Sequence, residues 1–135
     1  MLRIYTASRF HRADLWIELS QMKRFNHYFH ARWLKHYTRN HPETPANSRK
    51  FWPENLEDIR TSDCVIVYSE NEDIQGGAFI EAGAALAFNK KVYVVGENPG
   101  YRSWIHHPNV IICKSILDAI NEIDLIENPR YCDEG

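Results

Sequence analysis

Apolar positions change period several times along the chain, and each change marks an element. Leu2 to Ala7 (LRIYTA) is a short β-prone run broken at Ser8, and Ala13 to Lys23 then places Leu15, Trp16, Leu19 and Met22 at helical spacing. Tyr28 to Trp33 (YFHARW), rich in aromatics, predicts a second strand. Leu34 to Trp52 carries Pro42, Pro45 and Asn47 without a period of either kind, which predicts a long loop. Loops of that length in compact domains are often lids or binding loops, so this one is a candidate cover for a site. Pro53 suits the first turn of a helix running through Leu56 and Ile59 and stopping near Ser62. Cys64 to Tyr68 (CVIVY) is a continuous β-branched run, as in a strand covered on both faces of a parallel sheet. Ala78 to Phe88 reads as an apolar, alanine-rich helix, Lys91 to Val95 and Val110 to Cys113 as two more buried strands. Ser115 to Ile123 closes as an amphipathic helix with Ser115 as its N-cap.

Strands alternating with helices imply right-handed βαβ units, and hence an α/β domain with a doubly wound parallel sheet of about five strands and helices on both faces. The 135 residues hold one such domain, residues 1–135. A net charge of −2 disfavours a nucleic acid polymer as partner, because such binders are usually basic. No apolar run is long enough to cross a membrane, and Arg3, Arg9 and Arg12 interrupt the start where a secretory signal would be apolar, so no membrane partner and a cytoplasmic location are expected. The odd, unpaired set Cys64, Cys113 and Cys132 fits a reducing compartment, with Cys64 and Cys113 as small core residues.

Ligands of open parallel sheets bind outside the carboxyl ends of the strands. That rule selects Ser8 to Arg12, Ser69 to Gly77, Gly96 to Trp104 and the start of the Pro53 helix. Glu81 is the lone charge in an apolar helix, about one turn from its start, where a carboxylate faces the crevice or else only complements the helix dipole. Gly76 and Gly77 before it allow a ligand to approach the backbone. Ser8, Arg9 and Arg12 precede a helix where a hydroxyl, amides and cations can cradle a phosphate, which favours a phosphate-bearing ligand; the alternative is that the arginines are simply solvated. Trp33, Trp52 and Trp104 flank the crevice as candidates to stack a base or pack the core. Seven histidines complete no metal shell, and neither a Walker-type loop nor GxGxxG is present, so neither metal nor cofactor is expected.

The run from Asn55 to Gly96, with Gly76, Gly77, Glu81, Gly83 and Ala85 in a Gly-Gly-x-x-x-Glu-x-Gly-x-Ala arrangement, resembles the core of the nucleoside 2-deoxyribosyltransferase superfamily, which includes the 2'-deoxynucleoside 5'-monophosphate N-glycosidases. The opening IYTASRF resembles that superfamily's first strand and loop, and Arg32, Trp33 and Leu34 match an Arg-Trp-Leu of its shorter members. The resemblance implies a flavodoxin-like fold, a homo-oligomer, and attack on C1' of a 2-deoxyribosyl group by the glutamate at position 81. A deoxyribosyl-enzyme forms and is resolved by a second base or by water. It further implies that Tyr5 hydrogen-bonds the nucleophile. The small-molecule partners would be a deoxynucleoside or deoxynucleotide and a free base. Two positions depart from the pattern. Asn55 replaces an aspartate that contacts or protonates the base, and an amide supplies no proton. Asp58, one turn further on, is the better substitute acid or else a solvated helix carboxylate, and Asp63 lies at the wrong end of the sheet. Gln75 stands where transferases tend to carry an aspartate for the sugar and monophosphate hydrolases a serine. These departures keep an alternative open: a non-catalytic nucleotide-binding or sensing module on the same fold.

Overall fold

The computed structural model describes residues 1–38, 44–74 and 76–127. Within them lie the strands β1 (Arg3–Ala7), β2 (Tyr28–Phe29), β3 (Cys64–Tyr68), β4 (Lys91–Val95) and β5 (Val110–Ile112). They form one all-parallel sheet in the order β2-β1-β3-β4-β5. The chain steps outward from β1 to β2 and then returns past β1 to β3, so the order reverses between β1 and β3; this is the flavodoxin-like doubly wound arrangement that the alternation predicts. The helices are α1 (Ala13–Ser20), α2 (Trp33–Thr38), α3 (Pro45–Thr61), α4 (Gly77–Ala87) and α5 (Ile116–Glu127). Right-handed crossovers put α3 and α4 on one face of the sheet and α1 and α5 on the other.

Burial follows this layering. Cys64 to Val67 of β3 and Val92 to Val95 of β4 are buried on both sides, which is why these strands are continuous apolar runs. On the α1 face Trp16 meets Phe29 edge-on at 5.4 Å. Burial pushes the Cys64 thiol up to about 12 and that of the half-buried Cys113 up to about 11, so both are inert core groups; Cys132 lies outside the described residues. Ser115 caps α5 as expected, its Oγ accepting from the Asp118 N–H at 3.1 Å.

Three expectations along residues 28–61 are corrected. The second strand ends at Phe29, not Trp33: the Leu34 N–H reaches Ala31 O at 3.2 Å and the Lys35 N–H reaches Arg32 O at 3.0 Å, so the chain turns helical, and the Trp33 indole donates to Thr6 O at 2.8 Å. The expected loop from Leu34 to Trp52 contains most of α2 and the first half of α3 instead, while residues 39–43 lie outside the described part. Thr44 caps α3, with its Oγ1 accepting from the Asn47 N–H at 3.2 Å and Pro45 at the first position, so Pro53 falls inside the helix and does not open it. The stretch lacks a period because Pro45, Ala46, Arg49, Lys50 and Pro53 all face solvent.

Candidate functional site

Glu81 lies in the second turn of α4 and Tyr5 at the centre of β1, and helix and strand are in contact across the buried face of the sheet. Tyr5 is fully buried and Glu81 is 6% exposed. The Tyr5 hydroxyl donates to Glu81 Oε2, and Oε1 takes no hydrogen bond among the described residues. No cation among the described residues pairs with the carboxyl, and burial raises its pKa well above the ordinary carboxylate value. A dry, uncompensated carboxyl with one oxygen held and the other free is costly to the fold. Such a group, at the carboxyl edge of a doubly wound sheet, is a candidate reacting centre.

The other expected residues divide into those the fold brings to this edge and those it does not. Gly77 opens α4, and the Trp52 ring lies 3.7 Å from where a Cβ at Gly77 would stand; at Gly76 an added Cβ would meet nothing within 4 Å. The Trp52 ring thus packs on the start of α4, and α3 and α4 are in contact on this face of the sheet. Asn55 Oδ1 is buried and has no hydrogen-bond partner among the described residues. Gln75 lies outside the described residues.

Asp58 does not join the site as a free acid. It is 2% exposed and both its oxygens are taken by Arg32, with the backbone N–H at 2.9 Å on Oδ2 and Nε at 3.0 Å on Oδ1. Its side of α3 lines a separate concavity of about 720 Å³ beside β2, walled by Ile17, Phe29, His30 and Leu34. Asp63 is at the amino end of the sheet, as expected, accepting from the Arg3 N–H at 2.7 Å. His27 meets Asp124 of α5 and His30 meets Thr61 of α3, so the two histidines engage different elements. Trp33 belongs to the core, whereas Trp104 sits half-buried in a cluster with Phe79 and Tyr101.

The phosphate cradle is also corrected in part. Ser8 Oγ accepts from the buried Trp16 indole at 2.8 Å. Arg12 turns onto the loop after β3, donating through Nη2 to Asp73 at 2.9 Å and Glu72 at 3.0 Å, with its guanidinium 4.7 Å over the Tyr68 ring. Of the three side chains, only that of Arg9 makes no hydrogen bond or ion pair among the described residues; its backbone carbonyl accepts from the Arg12 N–H at 3.0 Å. Sequence reasoning did not single out Asp73 or Asn98, both buried at the carboxyl edge. Their signal was position, since both follow strands that point at the site.

The sheet is doubly wound and parallel, and its first strand presents Tyr5 to the buried Glu81 near the head of the third crossover helix. The chain belongs to the nucleoside 2-deoxyribosyltransferase family, whose sequence model matches residues 4–110. No curated protein matches it closely. Among solved structures it is similar to a 2-deoxyribosyltransferase from the psychrotolerant Bacillus psychrosaccharolyticus, with a TM-score of 0.64 and 16% identity over 88% of this chain and 90% of that one. It is also similar to a CMP N-glycosidase of Clostridium botulinum, with a TM-score of 0.56 and 17% identity over 91% of this chain and 99% of the other. At such identities the likeness is one of fold. Members of the family transfer or cleave N-glycosidic bonds, and this chain is placed among enzymes by that membership.

Proposed function

We propose that the protein cleaves or transfers the N-glycosidic bond of a 2'-deoxynucleoside or its 5'-monophosphate through a covalent deoxyribosyl–Glu81 intermediate. The Tyr5–Glu81 contact carries this reading. Tyr5 fixes Oε2, and Oε1 attacks C1' as the bond from C1' to the base nitrogen breaks and the base departs with the electron pair. Water, or the nitrogen of a second base, then attacks C1' and releases the carboxylate. The dry surroundings strip Glu81 of hydration that would blunt it as a nucleophile, and the Tyr5 hydroxyl holds its orientation. Asn55 faces the departing base as a neutral amide, able to hydrogen-bond it but not to protonate it. Asp58 serves as an anchor for Arg32.

The engagement of Arg12 by Asp73 and Glu72 favours the uncharged nucleoside as substrate, because the cation expected to meet a 5'-phosphate is already neutralised. The protein is expected to work in the cytoplasm as a homo-oligomer, without metal or cofactor. The test is chromatography of each deoxynucleoside and monophosphate incubated with the protein, with and without a second free base, beside Glu81→Ala. Base release that vanishes in the variant supports the reading, and a new nucleoside formed only with the second base makes the enzyme a transferase. Binding without turnover in either protein would instead support a nucleotide-sensing module, a reading favoured by the absence of a free acid at Asn55 or Asp58.

A further inference from the structure

Three loops leave the carboxyl edge of the sheet, after β1, β3 and β4, and one continuous set of side-chain contacts ties them together. Asn98, 8% exposed in the loop after β4, donates through Nδ2 to Ser69 Oγ at 2.9 Å, Glu70 O at 2.9 Å and Asp73 O at 2.7 Å. Its Oδ1 accepts from the Gly100 N–H at 2.7 Å, so both ends of the amide are used. The two loops touch so closely at Gly96, where φ is +101°, that a Cβ there would stand 2.1 Å from Ser69 O. Glu70 returns the tie, its Oε1 accepting from the Glu97 N–H at 2.8 Å. Asp73 passes it on to the loop after β1: Oδ2 accepts from the Glu70 N–H at 2.8 Å and from Arg12 Nε at 3.2 Å.

Asp73 precedes the first residue of α4 by four positions, and Arg12 follows the strand that carries Tyr5. The tie therefore joins the entrance of the glutamate's helix to the exit of the tyrosine's strand, across a sequence separation of 61 residues. A buried amide used at both ends and a part-buried guanidinium on a buried carboxylate hold one geometry where ordinary loops sample many.

We propose that Asn98, Asp73 and Arg12 are positioning residues, a strap that sets the start of α4 and so holds Glu81 in its dry seat against Tyr5. The proposal rests on Glu81 being the reacting group, and neither Asn98 nor Arg12 is required to touch substrate. Loosening the strap admits water beside Glu81. Tyr5 on β1 is the one titratable side chain hydrogen-bonded to Glu81 among the described residues, and no charged group of β1, β3, β4 or α3 pairs with it.

The decisive measurement is the titration of the Glu81 carboxyl by carbon-13 NMR, assigned with Glu81→Gln, in the full chain and in Asn98→Leu, Arg12→Met and Arg12→Lys. In the first two variants the Glu81 midpoint is expected to fall by about one pH unit toward the ordinary carboxylate value, as water replaces protein around it. With a deoxynucleoside substrate, kcat is expected to fall about tenfold with KM little changed, because geometry and not binding is lost. Arg12→Lys, which keeps the charge, should restore most of both. Should Asn98→Leu fail to fold, Arg12→Met breaks the same tie from its more exposed end. A folded Arg12→Met protein with an unmoved midpoint and unchanged kcat overturns the strap. A moved midpoint in a protein that turns over no nucleoside upholds the strap and overturns the reading of the function, since the titration needs no substrate.

Discussion

Two buried carboxyls occupy neighbouring helices on the same face of the sheet, and their surroundings are opposites. Asp58 on α3 is gripped by Arg32 through both oxygens, with His30 4.0 Å away. Glu81 on α4 has a tyrosine hydroxyl and no cation. Burying a charge is expensive, and a guanidinium is the usual compensation. Where compensation is supplied, the carboxylate is spent on holding structure, here docking the turn after β2 onto α3. Where it is withheld, the fold carries an unstable group whose instability is available to chemistry. Sequence alone made both candidates for catalysis; the partner, and not the burial, separates them.

The strongest way to break this contrast is to remove each carboxyl and compare what is lost. Glu81→Gln keeps shape and the Tyr5 contact but cannot form the covalent intermediate. Its kcat/KM for base release is expected to drop by about three orders of magnitude or more, roughly 4 kcal/mol of transition-state stabilisation, with little loss of folding stability. Retention of even a tenth of the activity would show that some other group attacks C1'.

How far this division was legible before the structure depended on range. Four of the strands, α1, α4 and α5 are local signals: β-prone apolar runs, a 3.6 period, and Ser115 as a cap; the second strand, expected to reach Trp33, stops at Phe29. Glu81 stood out because it is the one charge in α4, and Tyr5 because a family pattern names it. The first half of α3 was hidden because its exposed residues give no apolar stripe to read, and α2 because six residues are too few to show a period. The pairings Arg32–Asp58 and Arg12–Asp73 link residues 26 and 61 apart, and nothing in their local sequence announces which acid each arginine meets. For that reason both Asp58 and Arg12 were read as site residues when the fold had already engaged them.

The mirror experiment is Asp58→Ala. It leaves Arg32 and its backbone N–H without acceptors, so unfolding by urea is expected to show a loss of about 2 kcal/mol, moderated because the Arg32 side chain is 49% exposed and can turn to water. Turnover per folded molecule should stay within about twofold of the parent. A large fall in kcat without a fall in stability would return Asp58 to the chemistry as the acid.

Tyr5→Phe sharpens the contrast from the side of Glu81's partner. Losing the donor removes the one hydrogen bond that favours the ionised carboxylate, so the acid limb of the kcat/KM profile is expected to move to higher pH, beyond its already raised position. At neutral pH the rate should fall about tenfold, in keeping with one charge-stabilising hydrogen bond of roughly 1.4 kcal/mol. An acid limb that stays in place would mean that the tyrosine only packs.

The smallest expected effect concerns stability against pH, and here the two carboxyl environments should differ in sign. A carboxyl whose pKa is raised by folding binds its proton more tightly in the native state than in the unfolded one. Its burden is absent below the unfolded value near 4.5 and grows as pH climbs through the raised native value. Glu81→Gln removes that burden, so the variant should match the parent at acid pH and exceed it in Tm above neutrality by a few degrees, about 1 kcal/mol. Asp63 behaves the other way. Partial burial acts to raise it, but the hydrogen bonds from Arg3 outweigh burial and hold it below its usual range. Its stabilisation is therefore complete above the unfolded value and lost as pH falls through the lowered one. Asp63→Asn should accordingly be less stable than the parent at neutral pH and converge on it in acid. If the gap between Glu81→Gln and the parent failed to widen with rising pH, the carboxyl would not be carrying an uncompensated charge, and the distinction between a spent and an available carboxylate would lose its physical basis.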